Sequence, residues 1–573
     1  MRLAQFIFSL LPLSTWRDSI HSLDGLSSIN DNRIFEPPIQ PNKSIAIVGA
    51  GSAGLAILKV LLDLPIEVRS GWDIVLYEQR RNVGGLWLPD PHEPNPPHLP
   101  ETPLYPLLRT NTPHPTMTYP GFTFPPNTSL FPFHQAVEQY HVDYAAHYNL
   151  TSHIQLSHTV HAAGWRGNST HGKWDIEIHR YFESDISIKH VLHRSFDHLI
   201  VANGHNHYPR VPAWNGTEEW LANSPAEGPK RELLHSIFYR SPEHYRDRTV
   251  VIVGVGASGR DAALQVSPIA RATYQSLRTN GTTTPGANVI AKPEISHFTK
   301  NAIFFVDGSS LDTVDAVISA TGYNFLVPFL NRAPTWSPSS LPGLTTDPHT
   351  HANSTTSESL ITNLRYIFPL YRHIFSLSKS YPPTALSFIG LPVLIANCPS
   401  DIAQAIFVAQ SIANSSVLPS REDMVTDLVH QENRLLERGY DPYVVGHKMV
   451  GGDDDAMAYQ NDLVAYLKKK GQLPNDGKDY VEQWRRDARK GSFLLKRAWD
   501  RVEAAGEESK WLTGVQSEDE WAALMKRLAE SQEEWEKEHP NSLGTLPLAE
   551  GPNGLWLDGY GLYYTWPSLL VSS

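Results

Sequence analysis

Two stretches of the chain place a short apolar strand, a glycine-rich turn and a helix in succession. In the first, the pattern predicts a buried strand over Ile45–Val48, a helix over Leu55–Leu64 and a second strand over Asp73–Glu78. In the second, it predicts a strand over Thr249–Val253 and a helix over Arg260–Leu264. Strands that alternate with helices indicate an α/β fold with parallel sheets.

The rest of the chain is patterned differently. Residues 89–135 are rich in Pro and have little periodicity, and a loop of this length within a compact domain usually carries function. Helical periodicity returns over Ala136–Tyr148, and strands then alternate with turns as far as Ile200. From about Glu432 the composition predicts outer helices, and the dense charges of Glu518–Glu538 predict a solvated helix face.

The first glycine turn has the spacing of a dinucleotide-binding loop. Gly49 permits the tight turn, Gly51 lets the backbone approach a pyrophosphate, and Gly54 allows close helix–strand packing. Ser52 lies in the same turn, where the helix N-terminus offers unpaired N–H groups to phosphates. Glu78 ends the next strand, where a carboxylate accepts ribose hydroxyls and repels a 2′-phosphate, so this turn suits FAD or NAD.

The second turn repeats this geometry with a different ending. Gly254, Gly256 and Gly259 take the three glycine positions, and Ser258 lies between the last two. The strand expected after it ends at Arg278, where the first unit has an acid. A guanidinium can hold a 2′-phosphate through two hydrogen bonds, so we expect NADPH here.

Composition narrows the classes of function. The chain has 573 residues, a net charge of -12 and no basic cluster, which excludes nucleic acid and favours a small-molecule partner. Cys398 is the single cysteine, so neither a disulfide nor a dithiol redox pair can form within the chain. The 26 histidines show no spacing typical of a metal site, and we expect no metal.

The N-terminus resembles a targeting segment. The apolar run Leu3–Leu13 follows Arg2 and fits a secretory signal, although no A-x-A cleavage site follows it. Chance would give roughly four glycosylation sequons, whereas eight are present, at Asn42, Asn127, Asn149, Asn168, Asn215, Asn280, Asn353 and Asn414. This favours the secretory pathway or the extracellular space over the cytoplasm. No other segment approaches 18 uninterrupted apolar residues, so we expect no transmembrane segment.

Several segments resemble the flavin-containing monooxygenases, which are class B flavoprotein monooxygenases. Gly84–Trp87 follows Glu78 at the family spacing, Tyr105–Asn111 resembles the segment that ends in Thr-Asn, and His235–Arg240 resembles half of the family fingerprint. Further family-like segments are Tyr140–Leu150, Gly259–Asp261, Ala320–Tyr323, Leu370–Tyr371, Phe388–Pro392 and Gln404–Ala405. The resemblance spans residues 44–425 and is closest to fungal members that act on secondary metabolites.

The resemblance implies two Rossmann-like domains, with the NADPH domain inserted into a discontinuous FAD domain. We expect a leader and linker at 1–43, FAD-domain parts at 44–212 and 330–430, the NADPH domain at 213–329 and a C-terminal helical extension at 431–573. By resemblance, Leu86, Trp87, Val160 and Gln404 contact FAD, and Asp261 belongs to the NADPH site. Thr110 supports the flavin or the nicotinamide, and Asn111 lies beside them in the cofactor site.

The implied reaction is NADPH- and O₂-dependent oxygenation of a small organic substrate through a C4a-(hydro)peroxyflavin. Asn111 is the catalytic candidate, because its amide can donate to the peroxide without supplying a proton. Baeyer–Villiger insertion beside a ketone and H₂O₂ release remain alternatives, as does a non-catalytic partner role. A homodimer or a multi-enzyme assembly is also open.

The fingerprint departs from the family pattern. Trp214-Asn215-Gly216 replaces Phe-x-Gly, and 18 residues separate Gly216 from His235 where the pattern allows three. Ala202-Asn203-Gly204 replaces a common Ala-Thr-Gly, whereas Tyr239 favours the flavin-containing branch over the Baeyer–Villiger branch. These changes put details of hydride transfer in doubt, but not the fold.

Overall fold

The computed structural model describes residues 42–182, 185–278, 282–350 and 358–539. The apolar run predicted as a secretory signal lies outside these residues, as do the sequons at Asn280 and Asn353. Within the described ranges, no helix is both long enough and apolar enough to cross a membrane.

Strands and helices are numbered here in chain order. The first are β1 (Lys43–Val48), α1 (Ser52–Asp63), α2 (Ile66–Arg69), β2 (Trp72–Tyr77), α3 (His134–His147), β3 (Ile154–Gln155), β4 (His158–Gly167), β5 (Gly172–Phe182), β6 (Asp185–Phe196) and β7 (His198–Val201). There follow α4 (Thr217–Ala222), β8 (Glu232–His235), β9 (Thr249–Val253), α5 (Ala257–Val266), β10 (Ala272–Ser276), β11 (Ile290–Lys292), β12 (Ile295–Phe298), β13 (Ile303–Phe305), β14 (Ser310–Leu311) and β15 (Ala316–Ser319).

The later strands are short and the C-terminal part is helical. The strands are β16 (Leu341–Pro342), β17 (Thr345–Thr346), β18 (Ile361–Thr362), β19 (Ile367–Phe368), β20 (Leu370–Tyr371), β21 (Phe375–Ser376) and β22 (Leu386–Phe388). The helices are α6 (Asn397–Ala413), α7 (Arg421–Glu437), α8 (Pro442–Val445), α9 (Asp453–Lys469), α10 (Gln483–Lys490), α11 (Ser492–Ala504), α12 (Glu508–Leu512) and α13 (Glu518–Glu538).

The first sheet has the order β20-β21-β22-β7-β1-β2-β3, with β1 paired in parallel to both β7 and β2. Ile45, Ala46 and Ile47 are fully buried, which explains the unbroken apolar run: a parallel strand is covered on both faces. Helices α1 and α6 pack on one face of this sheet through one apolar core. The strand order reverses direction at β1, the place where doubly wound sheets bind ligands.

The second sheet has the order β11-β10-β9-β15-β8 and repeats this arrangement around β9. Val250, Val251 and Ile252 are fully buried, and β9 pairs in parallel with β10 and β15. All strands of this sheet lie between β7 and β20 in the chain. The predicted fold class, with two Rossmann-like units of which the second interrupts the first, is confirmed.

An antiparallel sheet of order β16-β4-β5-β6 covers the other face of the first sheet. Trp174 of β5 is fully buried, and its indole N–H donates to the carbonyl of Ala385 at 2.7 Å, just before β22. A buried indole needs such a partner, so this bond fixes the two sheets relative to one another.

The C-terminal helices bury one face and expose the other. On α13, Trp521, Leu524, Met525 and Leu528 are buried against α11 and against Phe131 of the long loop, so the predicted solvated face is only one side of this helix. Helix α7 begins at Arg421 and not near Glu432, because Ser420 caps it by accepting from the Asp423 N–H. The expected boundary at residue 431 therefore falls inside a helix.

Candidate functional site

The turn after β1 has room only for glycine. Gly49 has φ +104°, and a Cβ there would lie 2.5 Å from the carbonyl oxygen of Ala202, just after β7. A Cβ on Gly54 would lie 1.8 Å from the Gly49 carbonyl oxygen. Gly51 is the N-cap of α1, which begins at Ser52 and not at Leu55 as predicted. The turn thus brings the N–H groups of α1 to the crevice between β1 and β7.

Glu78 closes this turn from the end of β2. One carboxylate oxygen accepts the Ala50 N–H at 2.7 Å and the other accepts the Arg80 N–H at 2.8 Å. Burial raises the pKa of Glu78, and these two N–H groups and the Arg80 charge oppose that rise only in part. Each oxygen keeps a further lone pair, which a ribose hydroxyl can use.

Arg80 is a site residue that the sequence reasoning missed. Its buried guanidinium donates to the carbonyls of Gly85, Leu88 and Pro89 at 3.0, 2.7 and 2.8 Å, and pairs with Glu101 at 2.7 Å. It therefore shapes the turn that carries the two predicted FAD contacts, Leu86 and Trp87, both of which are partly buried. Thr102 donates its hydroxyl to the Leu86 carbonyl at 2.6 Å.

The Thr110–Asn111 turn lies on a short antiparallel pairing of Arg109 with Phe133. The Thr110 hydroxyl is buried and has no hydrogen-bond partner among the described residues; the same holds for Nδ1 of His134. Both residues adjoin the bridged pair in the chain, since Thr110 follows Arg109 and His134 follows Phe133 at the start of α3. Asn111 is exposed at the end of this pairing. His134 had no distinguishing sequence signal.

Helix α6 contributes two groups next to α1, one of which, Gln404, was predicted from the sequence. Gln404 is fully buried, accepts the Gly390 N–H at 3.2 Å and donates to the Ser400 hydroxyl at 2.9 Å, so it holds the turn after β22. Asp401, which the sequence did not single out, is buried, and burial raises its pKa to about 7 despite a hydrogen bond with Ser52.

Val160, a further predicted FAD contact, lies on β4 and is buried in the apolar core that β4 shares with β1 and β2.

The second turn has the same geometry as the first. Gly254 has φ +105°, and a Cβ there would lie 2.7 Å from the carbonyl oxygen of Ala320, just after β15. A Cβ on Gly259 would lie 2.4 Å from the Gly254 carbonyl oxygen. Gly256 is the N-cap of α5, and Ser258 is exposed in its first turn. The two turns are therefore equivalent positions of two similar units.

The strand that follows distinguishes the two sites. Tyr77 pairs with the last residue of β1, and Ser276 pairs with the last residue of β9, so Leu277 occupies the position of Glu78. The predicted strand end at Arg278 was wrong: β10 ends at Ser276, although the Leu277 N–H still donates to the Lys292 carbonyl at 2.8 Å. The Arg278 side chain is 62% exposed and lies 3.1 Å from a Glu294 carboxylate oxygen.

His235 has a structural geometry. Its Nδ1 accepts the Ile237 N–H at 3.1 Å, so the proton is on Nε2, which donates to the Gly322 carbonyl at 3.0 Å. Burial lowers the pKa of His235 to about 4, and the ring is neutral at physiological pH. Both nitrogens are engaged, so the geometry favours a role in linking the end of β8 to the segment after β15 over acid–base chemistry.

Asp261 joins the two units. It lies in the second turn of α5, and the Tyr105 hydroxyl from the long loop donates to its carboxylate. Burial raises the pKa of Asp261, and the Tyr105 hydrogen bond opposes this rise. Arg240 adds a second link, since it donates to the Thr102 carbonyl at 3.0 Å and lies 3.3 Å from Asp90.

A cluster of two histidines and a carboxylate, which is a candidate metal site, was not predicted from the sequence because a β-bulge brings its members together. His161, Glu177 and His179 offer ligand atoms within 4.8 Å of one another on β4 and β5. The two imidazoles stack at 4.1 Å and 16°, so their lone pairs run in nearly parallel planes and do not converge. The Arg332 guanidinium lies 3.4 Å from Nε2 of His161 and opposes a cation, so we assign no metal here.

A chain with two such turns on two Rossmann-like units has the architecture of a two-dinucleotide oxidoreductase. The family model described as flavin-binding monooxygenase-like matches residues 42–287 and 283–336. The chain therefore belongs to this family and is a FAD-dependent monooxygenase, as the sequence predicted.

Curated relatives agree with this assignment, and a solved structure agrees with the fold. The flavin-containing monooxygenase FMO GS-OX-like 4 of Arabidopsis thaliana is 28% identical over 68% of this chain and 81% of its own length. The senecionine N-oxygenase of Tyria jacobaeae is 27% identical over 69% and 76%. The fold resembles that of the S-allyl-L-cysteine S-oxygenase from Allium sativum, with a TM-score of 0.60 and 22% identity over 86% of this chain and 99% of that one.

Asp401→Asn tests the buried acid beside α1. Because the folded pKa of about 7 lies above the ordinary value of 3.8, the native state keeps a proton that the unfolded chain releases between these values. Stability should therefore fall as the pH rises from about 4 to about 7, and Asp401→Asn should abolish this fall. Thermal unfolding midpoints from pH 5 to pH 8 measure it. The exposed Asp307→Asn is the control, and parallel curves for wild type and Asp401→Asn would contradict the assignment.

Proposed function

We propose that the chain binds FAD at the turn Gly49–Gly54 and NADPH at the turn Gly254–Gly259, and oxygenates a small organic substrate with O₂. One observation carries this proposal: two equivalent turns differ at the position that would face the adenosine ribose of a bound dinucleotide. The first has the carboxylate of Glu78, which suits an unphosphorylated ribose; the second has Leu277 followed by Arg278.

The residues of the first site fit a bound flavin dinucleotide. A Cβ on Gly49 or Gly54 would clash with backbone, so only glycine permits the turn that presents the α1 N-terminus, and the buried Thr110 hydroxyl lacks a partner within the described chain. A buried hydroxyl of this kind costs free energy unless a ligand or water completes it. When bound, FAD would supply the oxygen-activating chemistry, with NADPH as the source of the electrons.

The chain's own residues would position the reactants and limit access of water. Glu78, the α1 N-terminus and the Leu86–Trp87 turn would hold the dinucleotide, and Thr110 would donate a hydrogen bond to it. The Asn111 amide can donate a hydrogen bond and cannot lose a proton at neutral pH, so it can orient the reacting oxygen without acting as an acid. Tyr105 and Asp261 would keep the second unit docked over this turn.

Oxygenation of a nitrogen or sulfur atom is the substrate chemistry that we favour. The names of two relatives, an N-oxygenase and an S-oxygenase, support it, as does Tyr239 in the fingerprint. Baeyer–Villiger insertion and H₂O₂ release are the alternative outcomes.

Isotope incorporation tests this proposal. Under ¹⁸O₂, with NADPH and a tertiary amine, a thioether or a ketone offered separately, we expect one labelled oxygen per NADPH oxidised with the amine or the thioether. A labelled ester from the ketone alone would favour Baeyer–Villiger chemistry. If every NADPH oxidised appeared as H₂O₂ with all three substrates, oxygenation would be the wrong proposal.

Arg278→Ala tests the coenzyme choice. Loss of a charge-assisted hydrogen bond to a 2′-phosphate costs about 1.5–3 kcal/mol, so the KM for NADPH should rise by roughly 10-fold to 100-fold while the KM for NADH stays nearly constant. Arg271→Ala is a matched control, because Arg271 is 61% exposed, pairs with an acid 2.7 Å away and lies before β10. Equal effects of Arg278→Ala on both coenzymes would rule out this role.

A further inference from the structure

Helix α11 of the C-terminal part reaches the pairing that carries the Thr110–Asn111 turn. Trp499 and Glu503 lie one helical turn apart on α11, and the Trp499 indole is fully buried. Around them, Leu130 and Phe131 of the long loop share an apolar core with α10, α11 and α13. Residues 483–538, which carry α10 to α13, are called here the C-terminal helical unit, and the loop packs against this unit through Leu130 and Phe131.

Arg109 and Glu503 form the central contact between the loop and this unit. Two guanidinium nitrogens of Arg109 donate to the two carboxylate oxygens of Glu503 at 2.8 and 2.5 Å. The third nitrogen, Nε, donates to the Phe131 carbonyl at 2.9 Å, and the guanidinium lies 4.6 Å from the centre of the Phe133 ring. This fork geometry fixes the orientation of the Arg109 side chain as well as its position.

Glu503 is held from its own side too. The Trp499 indole and the Ser129 hydroxyl donate to one of its carboxylate oxygens at 2.9 and 3.1 Å. The two side chains of the ion pair are 25% and 23% exposed, which makes the pair partly shielded from water. Burial raises the pKa of Glu503, but the hydrogen bonds and charge of Arg109 outweigh burial and leave it below its ordinary value.

A second contact fixes the loop on the other side of the Thr110–Asn111 turn. Arg485 of α10 is buried and donates to the Pro115 carbonyl at 2.5 Å, to the Thr118 hydroxyl at 3.1 Å and to Glu518 at 2.7 Å. The turn that carries Thr110 and Asn111 thus lies between two arginine contacts, and both of these contacts involve the C-terminal helical unit.

We propose that Glu503 is a positioning residue for oxygenation: it holds Arg109, and through the Arg109–Phe133 pairing it sets the place of Thr110 and Asn111. The C-terminal helical unit is then part of the oxygenation site and not only an outer covering. This inference rests on the proposed function, because it assigns the contact a role in oxygen transfer.

Glu503→Gln is the test variant, since it keeps the side-chain shape and removes the charge. Glu536→Gln is its matched control: Glu536 pairs with Arg497 at 2.7 and 3.2 Å within the same helical unit and does not contact Arg109. In the purified holoenzyme, Glu503→Gln should speed hydrogen–deuterium exchange over residues 104–117 and leave α13 protected. It should lower kcat about 10-fold to 100-fold at nearly unchanged KM for NADPH, and raise the fraction of NADPH lost as H₂O₂.

The outcomes separate the two proposals. Unchanged exchange over residues 104–117 in Glu503→Gln, or faster exchange with unchanged kcat and H₂O₂ fraction, overturns the positioning role. Equal effects of Glu536→Gln overturn it as well. Faster exchange in an enzyme whose wild type transfers no oxygen contradicts the proposed function and leaves the contact standing. If Glu503→Gln does not fold, Arg109→Lys, which keeps the charge and loses the fork, is judged by the same readouts.

Discussion

The absence of a Cβ at the ends of two central strands is the constraint on which both nucleotide sites depend. At Gly49 and at Gly254 the neighbouring strand's carbonyl lies closer than any side chain allows, at 2.5 and 2.7 Å from an ideal Cβ. Because both glycines have positive φ, the chain turns at once into a helix whose N-terminus faces the crevice. Everything that distinguishes the two sites is added to this shared framework by the residues that follow.

The long loop between β2 and α3 contacts several other parts of the molecule. Tyr105 bonds to Asp261 of the second unit, Arg109 to Glu503 of α11, and Arg485 of α10 to the backbone at Pro115. A loop bound on three sides can hold a reactive turn in one place without regular secondary structure. This explains how a Pro-rich segment with little periodicity can bury Thr110, His114 and Tyr119.

Much of the fold was predictable, because its signals are local. Apolar runs, glycine spacing and the acid at Glu78 are read within about 30 residues, and they identified both Rossmann-like units. The predictions were wrong where tertiary contacts set the ends of elements. Strand β10 ends at Ser276, before the predicted end at Arg278. Helix α1 begins before the predicted start and includes Gly54, a poor helix former that close packing requires. His134 and Asp401 could not be found, since each matters through residues that the fold brings near. Arg80 had no distinguishing sequence signal, although its partners Gly85, Leu88 and Pro89 follow it closely in the chain. Arg109 and Glu503 are 394 positions apart.

The central claim is that one chain holds two separate dinucleotide sites with different tasks. Matched substitutions at the two equivalent glycines test it most directly, with bound flavin and its anaerobic reduction by NADPH followed by absorbance. We expect Gly49→Ala to be purified without flavin, whereas Gly254→Ala keeps its flavin and is not reduced by NADPH. Normal reduction of Gly254→Ala, or flavin lost equally from both variants, would contradict the account.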